Sequence, residues 1–273
     1  VIDEQHRFGV GQRAALKVKA AAPHCLSLTA TPIPRTLLQS WFAGIDSSQL
    51  TEKPACRVPI ETVLLESGAR AKLIKRLSLQ VATGARAYWV CSLIDPSEMF
   101  SAHAATEVHT ELSTALPEVN IGLLHGQLSE TEKLAIMQDF AAGKIAILVA
   151  TTVIEVGVDV PEASLMVIDN PERFGLAQLH QLRGRVGRGS EKSYCLLLAG
   201  DNLSPESRQR LEILRNCDDG FELAEQDLSI RGHGQLLGAM QSGHFIFRIA
   251  DLLRDAYFLP LVNKLYACLS EKD

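Results

Sequence analysis

The chain has 273 residues, 47% hydrophobic and 22% charged, a composition that buries a globular core without disulfide or metal staples. No apolar run reaches the ~20 residues of a membrane-spanning helix. The formal net charge of −5 argues against a surface that is basic throughout, but not against a local phosphate-binding groove.

The chain opens on Val1 rather than Met, directly before Asp3-Glu4, and is expected to be a piece of a longer polypeptide. A short apolar run at Leu26–Thr29 follows, then Ser47–Pro59, which carries two prolines and no period and reads as a linker. From there strands and helices alternate. Strands are predicted at Thr62–Leu65, Ala87–Ile94, Ile121–Leu124, Ile145–Ala150, Leu165–Ile168 and Tyr194–Leu198, several apolar without alternation and so covered on both faces. Helices are predicted at Ala69–Ala82, Met99–Leu116, Ser129–Ala142 and Phe174–Leu182. The third should start on a Ser129/Glu132 capping box and stop at Gly143. The implied fold is α/β, a parallel sheet with helices on both faces. After Asp201 the pattern turns helical, with Ser204-Pro205 as a helix start, and the tail Ile249–Leu269 is amphipathic and broken by Pro260. The six cysteines show no metal-ligand spacing, as expected for reduced thiols in a cytoplasmic protein.

Four segments carry chemistry. The paired carboxylates Asp3 and Glu4 at a strand end can hold Mg²⁺ through water and orient a water toward a γ-phosphate. Thr29 and Thr31 precede a proline at the end of the next apolar run, where hydroxyls can link nucleotide state to domain movement. Thr151 and Thr152 end another strand and can bind nucleic-acid phosphates without reading sequence, while Asp159, beyond Gly157, can report on the nucleotide. In Gln181–Gly189 (QLRGRVGRG) three glycines interleave three arginines. Each glycine in a helix interior would cost ~1 kcal/mol against alanine. That cost points to guanidinium groups brought up to phosphate, as in an arginine finger.

The blocks DEQH, TATPIPRT, LLHGQL at Leu123–Leu128, LVATTVIEVGVDVP and QLHQLRGRVGRG resemble, in order and spacing, motifs II to VI of the two-lobed superfamily 2 helicases. VIDEQHRFGV, NPERFGLAQLHQLRGRVGRG and RGHGQLLGAMQSG narrow the resemblance to the RecG family of ATP-dependent DNA helicases. That resemblance implies a RecA-like fold and a double-stranded DNA translocase that remodels stalled replication forks and recombination intermediates. It implies ATP and Mg²⁺ as nucleotide and metal. The partners implied are branched duplex DNA, such as forks and four-way junctions, and a single-stranded-DNA-binding protein, with the motor working as a monomer.

Residue by residue, the resemblance makes Asp3 and Glu4 the metal- and water-handling carboxylates, and Thr29 and Thr31 the coupling hydroxyls. Gln181, Arg185 and Arg188 would face the γ-phosphate; Thr151, Thr152 and Gly157 would line the DNA-facing junction, with Asp159 nearer the nucleotide. A helical hairpin and loop would transmit lobe closure through Arg210, Arg231 and Gln241. His233, Gln235 and Ala239-Met240 depart from the usual loop pattern. Residues 1–46 would be a remnant of a first lobe, 47–59 the linker, 60–200 the second lobe and 201–273 the hairpin, loop and terminal helix. No GxxxxGK[ST] occurs in the sequence, so the phosphate loop is expected upstream and these residues alone should be catalytically silent. Two alternatives remain at this point: the motor of a transcription-repair coupling factor, and a stand-alone nucleic-acid-binding module.

Overall fold

The computed structural model describes residues 1–3, 24–29, 48, 50, 58–92, 98–151, 160–189, 191–239, 255–258, 261–262 and 265. The first two elements, β1 (Ile2–Asp3) and β2 (Ser27–Leu28), pair in parallel as a small sheet, with Asp3 opposite Leu28.

The main body alternates strictly: β3 (Ile60–Leu65), α1 (Arg70–Ala82), β4 (Arg86–Cys91), α2 (Glu98–Ala115), β5 (Ile121–Leu124), α3 (Glu130–Ala141), β6 (Ile147–Ala150), β7 (Ala163–Asp169), α4 (Leu176–Arg183) and β8 (Ser193–Leu198). Two helices follow, α5 (Pro205–Asn216) and α6 (Gly220–Ala239). The six strands β3 to β8 form one sheet in the order β3-β8-β7-β4-β6-β5, every pair parallel. The strands and helices predicted between residues 60 and 200 all have counterparts here, and the α/β sheet covered on both faces is the one expected.

Every residue of β6 and β7 is buried, which is why neither run alternates in the sequence. The side chains still alternate between two cores. Tyr88, Val90, Leu148, Ala150, Met166 and Ile168 face the layer built by α3 to α6. Ala87, Trp89, Cys91, Ile147, Val149 and Val167 face α1 and α2. Phe140 of α3 is fully buried with its ring 4.8 Å from that of Tyr88; removing it would cost about 3–5 kcal/mol.

Local signals start and stop the helices. Ser129 Oγ accepts from the Glu132 N–H at 3.3 Å while the Ser129 N–H donates to Glu132 Oε2 at 2.8 Å, the reciprocal box that the sequence predicts. Gly143, with φ +77°, ends the turn after α3. Ser204 accepts from the Ser207 N–H at 3.1 Å with Pro205 at the first helical position.

With all six strands parallel, the sheet has a strand-start edge and a strand-end edge. Ile60, Pro161 and Ser193 lie at the first; Ser92, His125, Thr151, Asp169 and Ala199 lie at the second. The linker is described only at positions 48, 50, 58 and 59. Of the expected tail helix, the described part is the turn Ala256–Phe258 and residues 261, 262 and 265.

Candidate functional site

The arginine-rich segment is a helix end, not a helix interior. Helix α4 finishes at Arg183, and Gly184 caps it with its N–H on the His180 carbonyl at 3.0 Å. Gly187 has φ +73°, and a Cβ there would lie 2.7 Å from Ile60 Cγ1. A Cβ at Gly189 would lie 2.8 Å from the Pro161 carbonyl oxygen. These glycines therefore do not lie in a helix interior, contrary to the expectation: left-handed backbone and close approach require Gly187 and Gly189, independently of any phosphate.

The arginines divide by environment. Arg183 is buried at 2% exposure. Its Nη1 donates to the Leu214 carbonyl at 2.6 Å, and its Nη2 to the Cys217 carbonyl at 3.0 Å and to His180 Nδ1 at 3.0 Å. Asp218 Oδ1 lies 3.4 Å from Nη1. Gln181 and Arg185 are half-buried, and Arg188 is exposed with its Nε donating to the Gly184 carbonyl at 3.3 Å. Gln181, Arg185 and Arg188 thus share the last turn of α4 and the loop after it. That loop runs along the strand-start edge, since Gly187 abuts Ile60 and Gly189 abuts Pro161.

Thr151 sits at the opposite edge. It is buried just past β6, its N–H donating to the Leu124 carbonyl at 3.2 Å. Thr152, Gly157 and Asp159 lie outside the described residues, but Asp159 is joined to the Val160-Pro161 pair on which Gly189 packs. In the small sheet, Asp3 is exposed at the end of β1, and Thr29 directly follows β2, whose Leu28 pairs with Asp3. The first and second sequence blocks meet there. Glu4 and Thr31 lie outside the described residues.

Arg210, on α5, donates from Nη2 to the Phe174 carbonyl at 2.6 Å, just before α4, and its Nε lies 3.7 Å from Asp227 Oδ1 on α6. It therefore joins the arginine-bearing helix to both hairpin helices. Arg231 falls on α6 with its side chain outside the described residues, as is all of Gln241.

Sequence reasoning missed a second polar cluster, on the α1/α2 face. Arg70 donates to Asp169 Oδ2 at 2.6 Å and to both oxygens of Glu111, from Nε to Oε1 at 3.0 Å and from Nη2 to Oε2 at 2.7 Å. Its guanidinium lies 5.2 Å from the Trp89 ring centre, and Trp89 Nε1 donates to Asp169 at 3.4 Å. Burial opposes the charge on Arg70, but its two carboxylates outweigh that and hold it cationic. Burial, reinforced by Asp169, pushes the neighbouring Cys91 thiol up. Among the described residues no group of three His, Cys, Asp or Glu side chains could hold a metal ion.

Residues 69–190 match the helicase conserved C-terminal domain. Residues 217–273 match the C-terminal part of domain 3 of the ATP-dependent DNA helicase RecG. Over all of its length the chain is 52% identical to RecG of Escherichia coli K12 and 48% identical to RecG of Acidithiobacillus ferridurans, covering 40% of each.

Along its whole length the chain is similar to the RecG helicases.

It spans about 40% of the length of those relatives. A structure of RecG bound to a three-way DNA junction superimposes with a TM-score of 0.71 at 41% identity, over 94% of this chain and 33% of that one. The yeast Dbp5 complex with RNA and ADP BeF3 aligns over 84% of this chain and 61% of its own at a TM-score of 0.54 and 17% identity, which speaks for the fold alone. The six-stranded body is a RecA-like helicase lobe. The match of residues 217–273 to RecG domain 3 favours RecG over a coupling-factor motor.

Proposed function

We propose that the full-length gene product is an ATP-driven double-stranded DNA translocase that remodels branched DNA, and that this chain carries its second motor lobe and its coupling hairpin. Residues 60–200 are the lobe, 201–273 the hairpin, loop and terminal helix, and 1–46 part of the first lobe, joined by the linker 47–59. One observation carries the reading: the arginine-bearing loop and the Thr151 junction lie at opposite edges of one parallel sheet, and α4 is strapped to the hairpin helices at both ends. A motor that hydrolyses nucleotide at one edge and moves DNA at the other needs such a strap. The junction-bound RecG structure supports branched DNA as the substrate.

In this reading ATP lies between the lobes. Arg185 and Arg188 stabilise the charge that develops on the transferring γ-phosphate, with Gln181 beside them, and Glu4 orients the attacking water. Asp3, an exposed carboxylate at a parallel strand end, offers the hard oxygen donor that suits Mg²⁺ through water; the ion, when bound, neutralises phosphate charge. Asp159 senses the nucleotide, and Thr29 and Thr31 pass its state to the neighbouring lobe. Thr151, Thr152 and Gly157 meet the DNA backbone, and Arg210, Arg231 and Gln241 relay lobe closure. A single-stranded-DNA-binding protein at the fork is the expected protein partner, with the motor a monomer in the cytoplasm. No helix among the described residues is long and apolar enough to cross a membrane.

The test is ATP turnover by the full-length gene product with branched and linear duplex DNA. Stimulation greater on branched DNA is expected, and Arg188→Ala should lower turnover by roughly 10³ or more with nucleotide affinity little changed. Equal turnover with both DNAs, or an unaffected Arg188→Ala variant, overturns the reading. Turnover by residues 1–273 alone overturns the assignment of a missing phosphate loop.

A further inference from the structure

Arg183 is the first arginine of the run, yet its guanidinium turns to the end of α5 rather than to the loop that holds Arg185 and Arg188. It is 2% exposed, and its guanidinium is occupied by two carbonyls at the end of α5, Leu214 and Cys217, by His180 on its own helix, and by Asp218 just beyond α5. The last carbonyls of α5 have no partner within their own helix. A cation there also complements the negative end of the helix dipole. Arg183 is therefore the C-terminal cap of a helix 22 positions further along the chain, counting from Arg183 to Pro205. The next backbone bonds form the turn that leads to the finger arginines: Arg185 N–H on the Leu182 carbonyl at 3.0 Å and Val186 N–H on the Arg183 carbonyl at 3.3 Å. A shift of the α5 end thus reaches Arg185 through one planar, five-donor group and two residues of backbone.

We propose that Arg183 is a positioning residue: it fixes the turn bearing Arg185 and Arg188 to the closing end of the first hairpin helix, so that hairpin and finger loop move as one body. This rests on the reading of Arg185 and Arg188 given above. Arg210 joins α5 to the start of α4, and Arg183 joins the end of α4 to the end of α5. With both straps α4 cannot pivot on α5; with one alone it can.

The experiment uses the full-length gene product and Arg183→Lys, which keeps the charge but offers one point donor instead of a fork. Amide hydrogen exchange is expected to rise together at 184–186 and 213–217. With branched DNA, the nucleotide KM should stay within about twofold while the DNA unwound per ATP hydrolysed falls about tenfold. A residue that serves stability alone would lower the amount of active enzyme without changing that ratio. Unchanged exchange at either segment overturns the strap whether or not the protein hydrolyses ATP. An unchanged ratio in an active enzyme overturns the coupling role. Should Arg183→Lys not fold, Asp218→Asn decides the matter, since it removes the accompanying charge and leaves the carbonyl contacts. A smaller loss in the same ratio supports the proposal, and no loss overturns it. A wild-type protein without DNA-stimulated turnover refutes the translocase reading, while the exchange result still judges the strap.

Discussion

Gly189 and Pro161 touch across the strand-start edge, the glycine's Cα so near the proline carbonyl that a Cβ would lie 2.8 Å from its oxygen. The arginine loop is thereby seated on the residues that follow Asp159, and the neighbour is backbone, which cannot swing aside as a side chain could. Gly189→Ala should therefore lower stability by about 1–3 kcal/mol, read as a shift in the urea midpoint. Nucleotide affinity of the full-length protein should fall with it. The salt dependence of DNA binding should not change, because Thr151 lies at the other edge and phosphate contacts set that slope.

Gly187→Ala separates two costs. The left-handed backbone at φ +73° penalises any L side chain by about 1–2 kcal/mol. The Ile60 contact, 2.7 Å from Cγ1 to the added Cβ, adds a second cost that depends on Ile60. Combined with Ile60→Ala, Gly187→Ala should be less damaging than in the wild-type background, a double-mutant coupling of about 0.5–3 kcal/mol. A coupling of zero in urea denaturation would mean that the loop does not rest on β3.

What could be read ahead of the structure was what local signals encode. The Ser129/Glu132 box needs only four residues, and the fully apolar β6 and β7 declare their double burial by lacking alternation. The end of α4 was not encoded so plainly, and three arginines in one run look alike. They differ because Arg183 meets carbonyls 31 and 34 residues away while Arg188 meets the Gly184 carbonyl close by. The Arg70 cluster was invisible for the same reason, since its partners Glu111 and Asp169 lie 41 and 99 residues off. The site residues between Thr152 and Asp159, and Glu4, Thr31 and Gln241, lie outside the described residues.

Asp169 holds the strand-end edge to α1, and Trp89 reports on it. Asp169→Asn removes the anionic partner that Arg70 binds at 2.6 Å and leaves Glu111 to balance the charge. Breaking a buried pair costs about 3–5 kcal/mol. Here Arg70 is partly exposed and keeps one carboxylate, so a loss of about 1–2 kcal/mol is expected, less than that range after solvent screening. Trp89 is one of two tryptophans and loses both its carboxylate acceptor and the fixed position of the cation over its ring. The intrinsic fluorescence should shift in the variant, and Trp41→Phe should leave that shift intact.

The buried thiols give a pH signature. Burial pushes Cys195 up to about 12. A thiol with a higher pKa folded than unfolded makes the folded state bind the proton more tightly. The associated stability is complete below the unfolded value of about 8.5 and is lost as pH rises from there toward 12. Between pH 8 and 10.5 the urea midpoint of the wild type should therefore fall more steeply than that of Cys195→Ala, which lacks the titrating group. The variant starts lower, since its side chain fills less of a fully buried site, and the two curves should converge with rising pH. At pH 8 a thiol reagent should modify exposed Cys25 at once and reach Cys91 and Cys195 only on unfolding. Parallel stability curves, or fast modification of Cys195 in the native protein, would place that thiol in contact with water rather than inside β8.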